Sequence, residues 1–116
     1  MRKSRRLDLS TARDEGRRQT LATETFMRKY IIERDIPAVG TLEREQLRDA
    51  SRKSNAALAQ LGTNIQWVES FVADNKTFCV YLAKDEAIIR KHAEISGFPA
   101  TKITLIGKMI DPTTAA

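Results

Sequence analysis

The sequence predicts an α+β domain whose strands and helices alternate as β-α-β-β-α-β, and three observations carry that prediction. From Asn64 to Ala83 two stretches alternate in period two around Asp74-Asn75-Lys76, the mark of a hairpin. A helical stretch precedes the hairpin and ends at Gly62; a second follows it, opened by Asp85 and closed by Gly97 with Pro99 behind. One apolar strand stands ahead of the first helix and another after the second. The region from Thr63 to Ile95 is thus the part around which the rest is arranged.

The elements follow in order. Residues 1–26 carry few large apolar side chains and no sustained period, so a disordered or at most partly helical basic extension is expected. Met27 to Arg34 reads as the first strand, with Tyr30 and Ile32 on one face and Lys29, Ile31 and Glu33 on the other. Pro37 ends it. Thr41 suits the N-cap of a helix running to about Gln60, with Leu42, Leu47, Ala50, Asn55, Leu58 and Leu61 as a broken stripe. The second strand, Asn64 to Ala73, places Trp67, Glu69 and Phe71 on one side and Val68, Ser70 and Val72 on the other. The third, Thr77 to Ala83, separates Phe78, Val80 and Leu82 from Cys79 and Tyr81. In the second helix Ala87, Ile88, His92 and Ile95 fall at helical spacing. A fourth strand from Lys102 to Ile110 and a short tail, 111–116, complete the chain.

This order is the split βαβ arrangement of a ferredoxin-like sandwich: a four-stranded antiparallel sheet with two helices on one face. Three strands carry large apolar residues on both faces, so the face without helices would leave a wide apolar patch in water. The economical remedy is a second copy laid sheet against sheet, a homodimer of the dimeric α/β barrel kind. The domain is read as 27–110.

The chain of 116 residues suffices for one domain with a modest core. The net charge of +5 is concentrated at the start, where Arg2, Lys3, Arg5, Arg6, Arg13, Arg17 and Arg18 outnumber Asp8, Asp14, Glu15 and Glu24. No aromatic residue is interleaved with them, which argues against nucleic acid and for a solvated tail. One cysteine, Cys79, excludes an intramolecular disulfide and a zinc–thiolate cluster and suits a reducing compartment. With no membrane-length apolar run and no secretory h-region, the expected location is cytoplasmic and no membrane partner is expected.

If Phe78, Val80 and Leu82 face the helices, Cys79 and Tyr81 face the other way. Carboxylates are poor core residues beneath helices, so Glu33 and Glu69 belong on that same open face. The expected pocket therefore gathers Glu33, Trp67, Glu69, Phe71, Cys79 and Tyr81 under the partner's sheet. Carboxylates in such a cavity serve as an acid/base pair or as hard metal ligands. Each residue also has an ordinary reading: Glu33 and Glu69 paired with Lys or Arg at a sheet edge, Cys79 a small buried hydrophobe, Trp67 and Tyr81 dimer core. His92, one turn after Ile88, reads as a packed histidine, with no H-x-x-H or H-x₃-H partner to make a metal pair. No Ser-His-Asp arrangement, P-loop or glycine-rich phosphate motif is present.

The phrases YIIERDIP, IQWVESFVADNKTFCVYLA, IIRKHAEISGFPA and MIDPTT resemble a family of small bacterial proteins known as a domain of unknown function, which includes nickel-binding ferredoxin-like proteins. The resemblance covers about residues 27–114. It implies a ferredoxin-like dimer that binds a divalent metal, nickel in relatives, with Glu33, Glu69 and His92 as the metal-ligating candidates here. Those relatives are richer in histidine at positions that appear here as Glu33, Ser51 and Glu69, and carboxylates shift preference from nickel toward harder ions. Three classes of function follow: a dimeric metal-binding protein, a small-molecule-binding module or enzyme of the dimeric α/β barrel kind, and a protein-interaction domain using the open face.

Overall fold

A computed structural model describes residues 26–116, so the extension expected over 1–26 lies, apart from Phe26, outside the described residues. The elements are β1 (Arg28–Asp35), α1 (Arg44–Leu61), β2 (Ile65–Val72), β3 (Lys76–Ala83), α2 (Glu86–Ser96) and β4 (Lys102–Leu105). The sheet order is β2-β3-β1-β4 with every neighbour antiparallel, as a ferredoxin-like α+β fold requires.

Local chemistry explains most boundaries. Asp85 Oδ1 accepts the Ile88 N–H at 3.0 Å and starts α2; Gly97, in the left-handed region at φ 82°, closes it. For α1 the expected N-cap was Thr41. Instead Val39–Thr41 form a 3₁₀ turn, Thr41 donates to the Ala38 carbonyl at 2.7 Å, and α1 begins after Glu43. Gln46 Oε1 accepts the Glu43 N–H at 2.9 Å, the returning half of a capping box in which glutamine takes the usual glutamate position. The Asp74-Asn75 hairpin turn anchors the preceding loop: Asn75 accepts from Ala38 N–H at 2.8 Å through its side chain and from Ile36 N–H at 3.0 Å through its backbone. Gly40 N–H reaches Asp74 O at 2.9 Å, an approach so close that a Cβ at Gly40 would lie 2.8 Å from the Ala73 carbonyl oxygen. At the end of the chain β4 stops at Leu105 rather than Ile110, and Asp111 caps a 3₁₀ turn over Pro112–Ala115.

Both helices cover the face carrying Tyr30, Ile32, Cys79, Tyr81 and Ala83, where Ile89, Leu58 and Leu61 complete the core. Ile32, Ala83 and Ile89 are fully buried, and each large aliphatic side chain so placed contributes about 1.5–3 kcal/mol. The α1 stripe runs through Leu47, Ala50, Ser54, Ala57 and Leu61, with Ser54 and Ala57 buried and Asn55 exposed. Small side chains there let α1 approach α2, whose buried face is Ile89, His92 and Ser96.

Two strands depart from the expected facing, β3 wholly and β2 in part. In β3 Cys79 and Tyr81 lie beneath the helices, and Phe78, Val80 and Leu82 occupy the open face; the reading that put Phe78, Val80 and Leu82 in the core is corrected. Alternation alone leaves that phase open, because both faces of β3 are apolar. In β2 strict alternation breaks. Trp67 stands opposite Tyr81 but Glu69 stands opposite Val80, so Val68 is the extra residue of a bulge and is 52% exposed. Trp67 thus joins Ser70 and Val72 on the helix side, while Glu69 and Phe71 stay on the open face. Among the described residues no helix is long and apolar enough to cross a membrane.

Candidate functional site

The open-face pocket expected from the sequence is split by the sheet. Glu33, Glu69 and Phe71 lie on the open face, whereas Trp67, Cys79 and Tyr81 lie on the helix side. Glu33 and Glu69 are themselves separated by β3 and offset along it, roughly 10 Å apart at the backbone at the least. Glu33 is half-buried and accepts from Lys76 Nζ at 3.2 Å; Lys76 also stands 3.8 Å from Asp35. This is the ordinary sheet-surface ion pair, worth at most about 1 kcal/mol. Glu69 is exposed, with no ion-pair partner among the described residues.

His92 is fully buried between α2, α1 and the sheet, on the far side from both glutamates. Its Nε2 is 3.1 Å from Ser54 Oγ, and its ring centroid is 5.5 Å from that of Tyr81. Glu33, Glu69 and His92 therefore do not converge within one chain, and the three-ligand metal set is corrected on that ground. Among the described residues no group of three His, Cys, Asp or Glu side chains is placed to hold an ion.

What the fold does assemble lies between α1 and the sheet: a cavity of about 400 Å³, within the ordinary size of small-molecule sites. Its floor is the helix-side face of the sheet, with Arg34, Thr77, Cys79 and Tyr81 beside Trp67 and Ser70. Its roof is α1, through Leu47, Ala50, Ser51 and Ser54. Ile36, Val39 and Leu42 close one flank, and the Gly97-Phe98-Pro99 turn closes another. The walls are mostly apolar, and several of the few polar groups among them bond to one another. Trp67 Nε1 donates to Ser70 Oγ at 2.8 Å across the bulge, and Thr77 Oγ1 lies 3.5 Å from Cys79 Sγ.

The centre of this floor is Arg34, only 2% exposed. Its Nη1 donates to Pro99 O at 3.0 Å and Phe98 O at 3.4 Å; its Nη2 donates to Tyr81 OH at 3.3 Å. Among the described residues no carboxylate pairs with it. The charge is felt by its neighbours. Burial and then the Arg34 cation lower the His92 pKa from its ordinary 6.5, a contact with Ser54 opposing them, so the imidazole is neutral at neutral pH. Burial raises the Tyr81 pKa above 10.0 against the pull of Arg34, so Tyr81 keeps its proton. The cavity consequently holds one net positive charge and no negative one.

Sequence reasoning took Arg34 as the end of a strand. The signal that marks it is phase: Tyr30, Ile32 and Arg34 share one side of β1, so a cation falls where the pattern calls for a core residue. Ser54 is likewise legible as a polar residue one and two turns from Ala50 and Leu47 on the buried stripe.

The family described as nickel responsive protein SCO4226-like matches residues 30–106 of this chain. The crystal structure of SCO4226 from Streptomyces coelicolor A3(2) is similar, with a TM-score of 0.57 and 17% identity, over 71% of this chain and 99% of that one. At that identity the likeness speaks for the fold. No curated protein matches.

Proposed function

Because this chain belongs to the nickel-responsive SCO4226-like family, we propose that it is a small-molecule-binding member of it, a homodimer whose ligand is held between α1 and the sheet. The observation that carries the reading is the cavity itself: apolar walls of ligand-sized volume with the Arg34 guanidinium, the Tyr81 hydroxyl and the Ser51 and Ser54 side chains set into them. A cytoplasmic setting belongs to the same reading, since the lone thiol, Cys79, is free and buried. The test is a thermal-shift screen of aromatic and heterocyclic ligands on the full chain and on Ala50→Phe, which puts a ring into the roof. Ligands should raise the melting temperature of the parent and leave the variant unmoved. Uniform silence in the parent removes the reading.

The homodimer rests on the open face, where Ile31, Phe71, Phe78, Val80 and Leu82 form the apolar part. Glu33 and Glu69 lie among them with Lys29 and Lys102, so a two-fold copy can oppose acid to base. A second reading, divalent-metal binding, is supported by the family description; Glu33 and Glu69 stand apart within one chain, so a site using them would form across the two-fold open face. Calorimetric titration of tag-free protein with nickel would test it. Glu33→Gln and Glu69→Gln should weaken binding; a titration unaltered in both would exclude these side chains.

A further inference from the structure

We infer that the cavity takes a small organic acid, an apolar body bearing one carboxylate, and that Arg34 is the group that receives the carboxylate. The inference rests on the cavity being the ligand site and names the chemical class that fits it.

Arg34 is the one charged side chain among those lining the cavity. A guanidinium 2% exposed and lacking an opposite charge is costly to keep, because desolvation of an ion amounts to several kcal/mol unless a partner compensates it. The carbonyls of Phe98 and Pro99 and the hydroxyl of Tyr81 offset part of that cost, and all three are neutral. They also dictate which donors remain. Nη1 donates to the two carbonyls and Nη2 to Tyr81, while Nε has no acceptor among the described residues. The side edge of the guanidinium that carries Nε is thus the one left to meet a carboxylate, which can accept from such an edge with both oxygens.

The surroundings favour an anion and disfavour a cation. No aspartate or glutamate lines the cavity, and the neutral His92 and protonated Tyr81 add no competing charge. Lys53, whose Nζ is 5.6 Å from the Phe98 ring centroid, brings a second positive charge to the rim. The remaining walls, Ile36, Val39, Leu42, Leu47 and Trp67, suit a hydrocarbon or aryl body. A phosphate ester fits less well, since no run of backbone N–H groups or helix N-terminus is among the lining residues to share a double charge.

Trp67 is the single tryptophan of the chain and lines the cavity, so its emission reports occupancy. The experiment titrates the full-length protein with 3-phenylpropionate and hexanoate, and with their uncharged amides, following Trp67 fluorescence and heat in parallel. The acids should bind about tenfold or more tightly than the amides. Arg34→Gln, checked for folding by circular dichroism, should remove that preference by weakening the acids alone. Arg34→Lys should retain part of it, as a point charge without the fork. Ala50→Phe should abolish binding of acids and amides together while Arg34 stays in place. Equal affinity of acid and amide for the parent overturns the carboxylate assignment and leaves the cavity reading standing. Silence from all four probes takes both down. An acid preference that survives Arg34→Gln also overturns the assignment, because the charge then resides elsewhere.

Discussion

Ser54 Oγ lies 3.1 Å from His92 Nε2, joining the buried faces of the two helices directly above Tyr81. The pair is the interior's polar junction, and the ring's other nitrogen, Nδ1, is buried without a hydrogen-bond partner. Adding a proton to this ring places a second positive charge near Arg34, with no buried carboxylate among the described residues to receive it.

Stability should therefore fall as the medium is acidified from neutrality. The folded-state pKa of His92 is depressed below 6.5, so the unfolded chain binds more protons there. Stability is fully present above pH 6.5 and declines as pH falls below it toward the depressed folded value. Urea unfolding at pH 7.5, 6.5 and 5.5 checks this. His92→Gln should lower stability at pH 7.5 and flatten the dependence across that interval; an unchanged slope would mean another group dominates.

The bulge in β2 predicts opposite sensitivities for adjacent residues. Trp67→Ala should cost about 2–4 kcal/mol, since a half-buried indole beside Tyr81 is lost with its bond to Ser70. Val68→Lys should stay within about 0.5 kcal/mol, because the side chain stands in solvent. Chemical denaturation of both variants decides it, and a large effect at Val68 would argue against the bulge.

Gly40 should not tolerate a methyl group. Gly40→Ala drives a Cβ against the backbone at Ala73 and Asp74 and must spread the contact between the 36–41 loop and the hairpin turn. A loss of about 1–3 kcal/mol is expected from denaturant melts.

Charge placed in the middle of the open face should separate the proposed homodimer. Val80→Lys leaves the helix-side core untouched and inserts a cation among Ile31, Phe71 and Phe78. Light scattering coupled to size exclusion should report a dimer for the parent and a monomer for the variant. A monomeric parent would end the dimer proposal.

The order of elements was legible because each signal was local. Asp85 and Gly97 bracket α2 through their own side chain and backbone, and Asp74-Asn75 turns the hairpin. The candidate site was legible only in part. Trp67, Cys79 and Tyr81 were grouped together and do line one cavity, yet the face they occupy was misread. Arg34 was passed over because an arginine near the end of a strand looks like a solvated terminus, and its carbonyl partners lie in a turn more than sixty residues later.

By itself, then, the sequence determined the secondary elements, their βαββαβ order and the presence of apolar residues on both sides of the sheet. Tertiary structure decided which side is the core. Side chains on β3 alternate between Phe78, Val80, Leu82 and Cys79, Tyr81, Ala83, two sets that each suit burial. The choice falls to the fit of Ile89, Leu58 and Leu61 against one of them. Once that face was taken, one inserted residue at Val68 placed Trp67 beneath the helices and left Glu69 above, and Arg34 became the charge on the cavity floor.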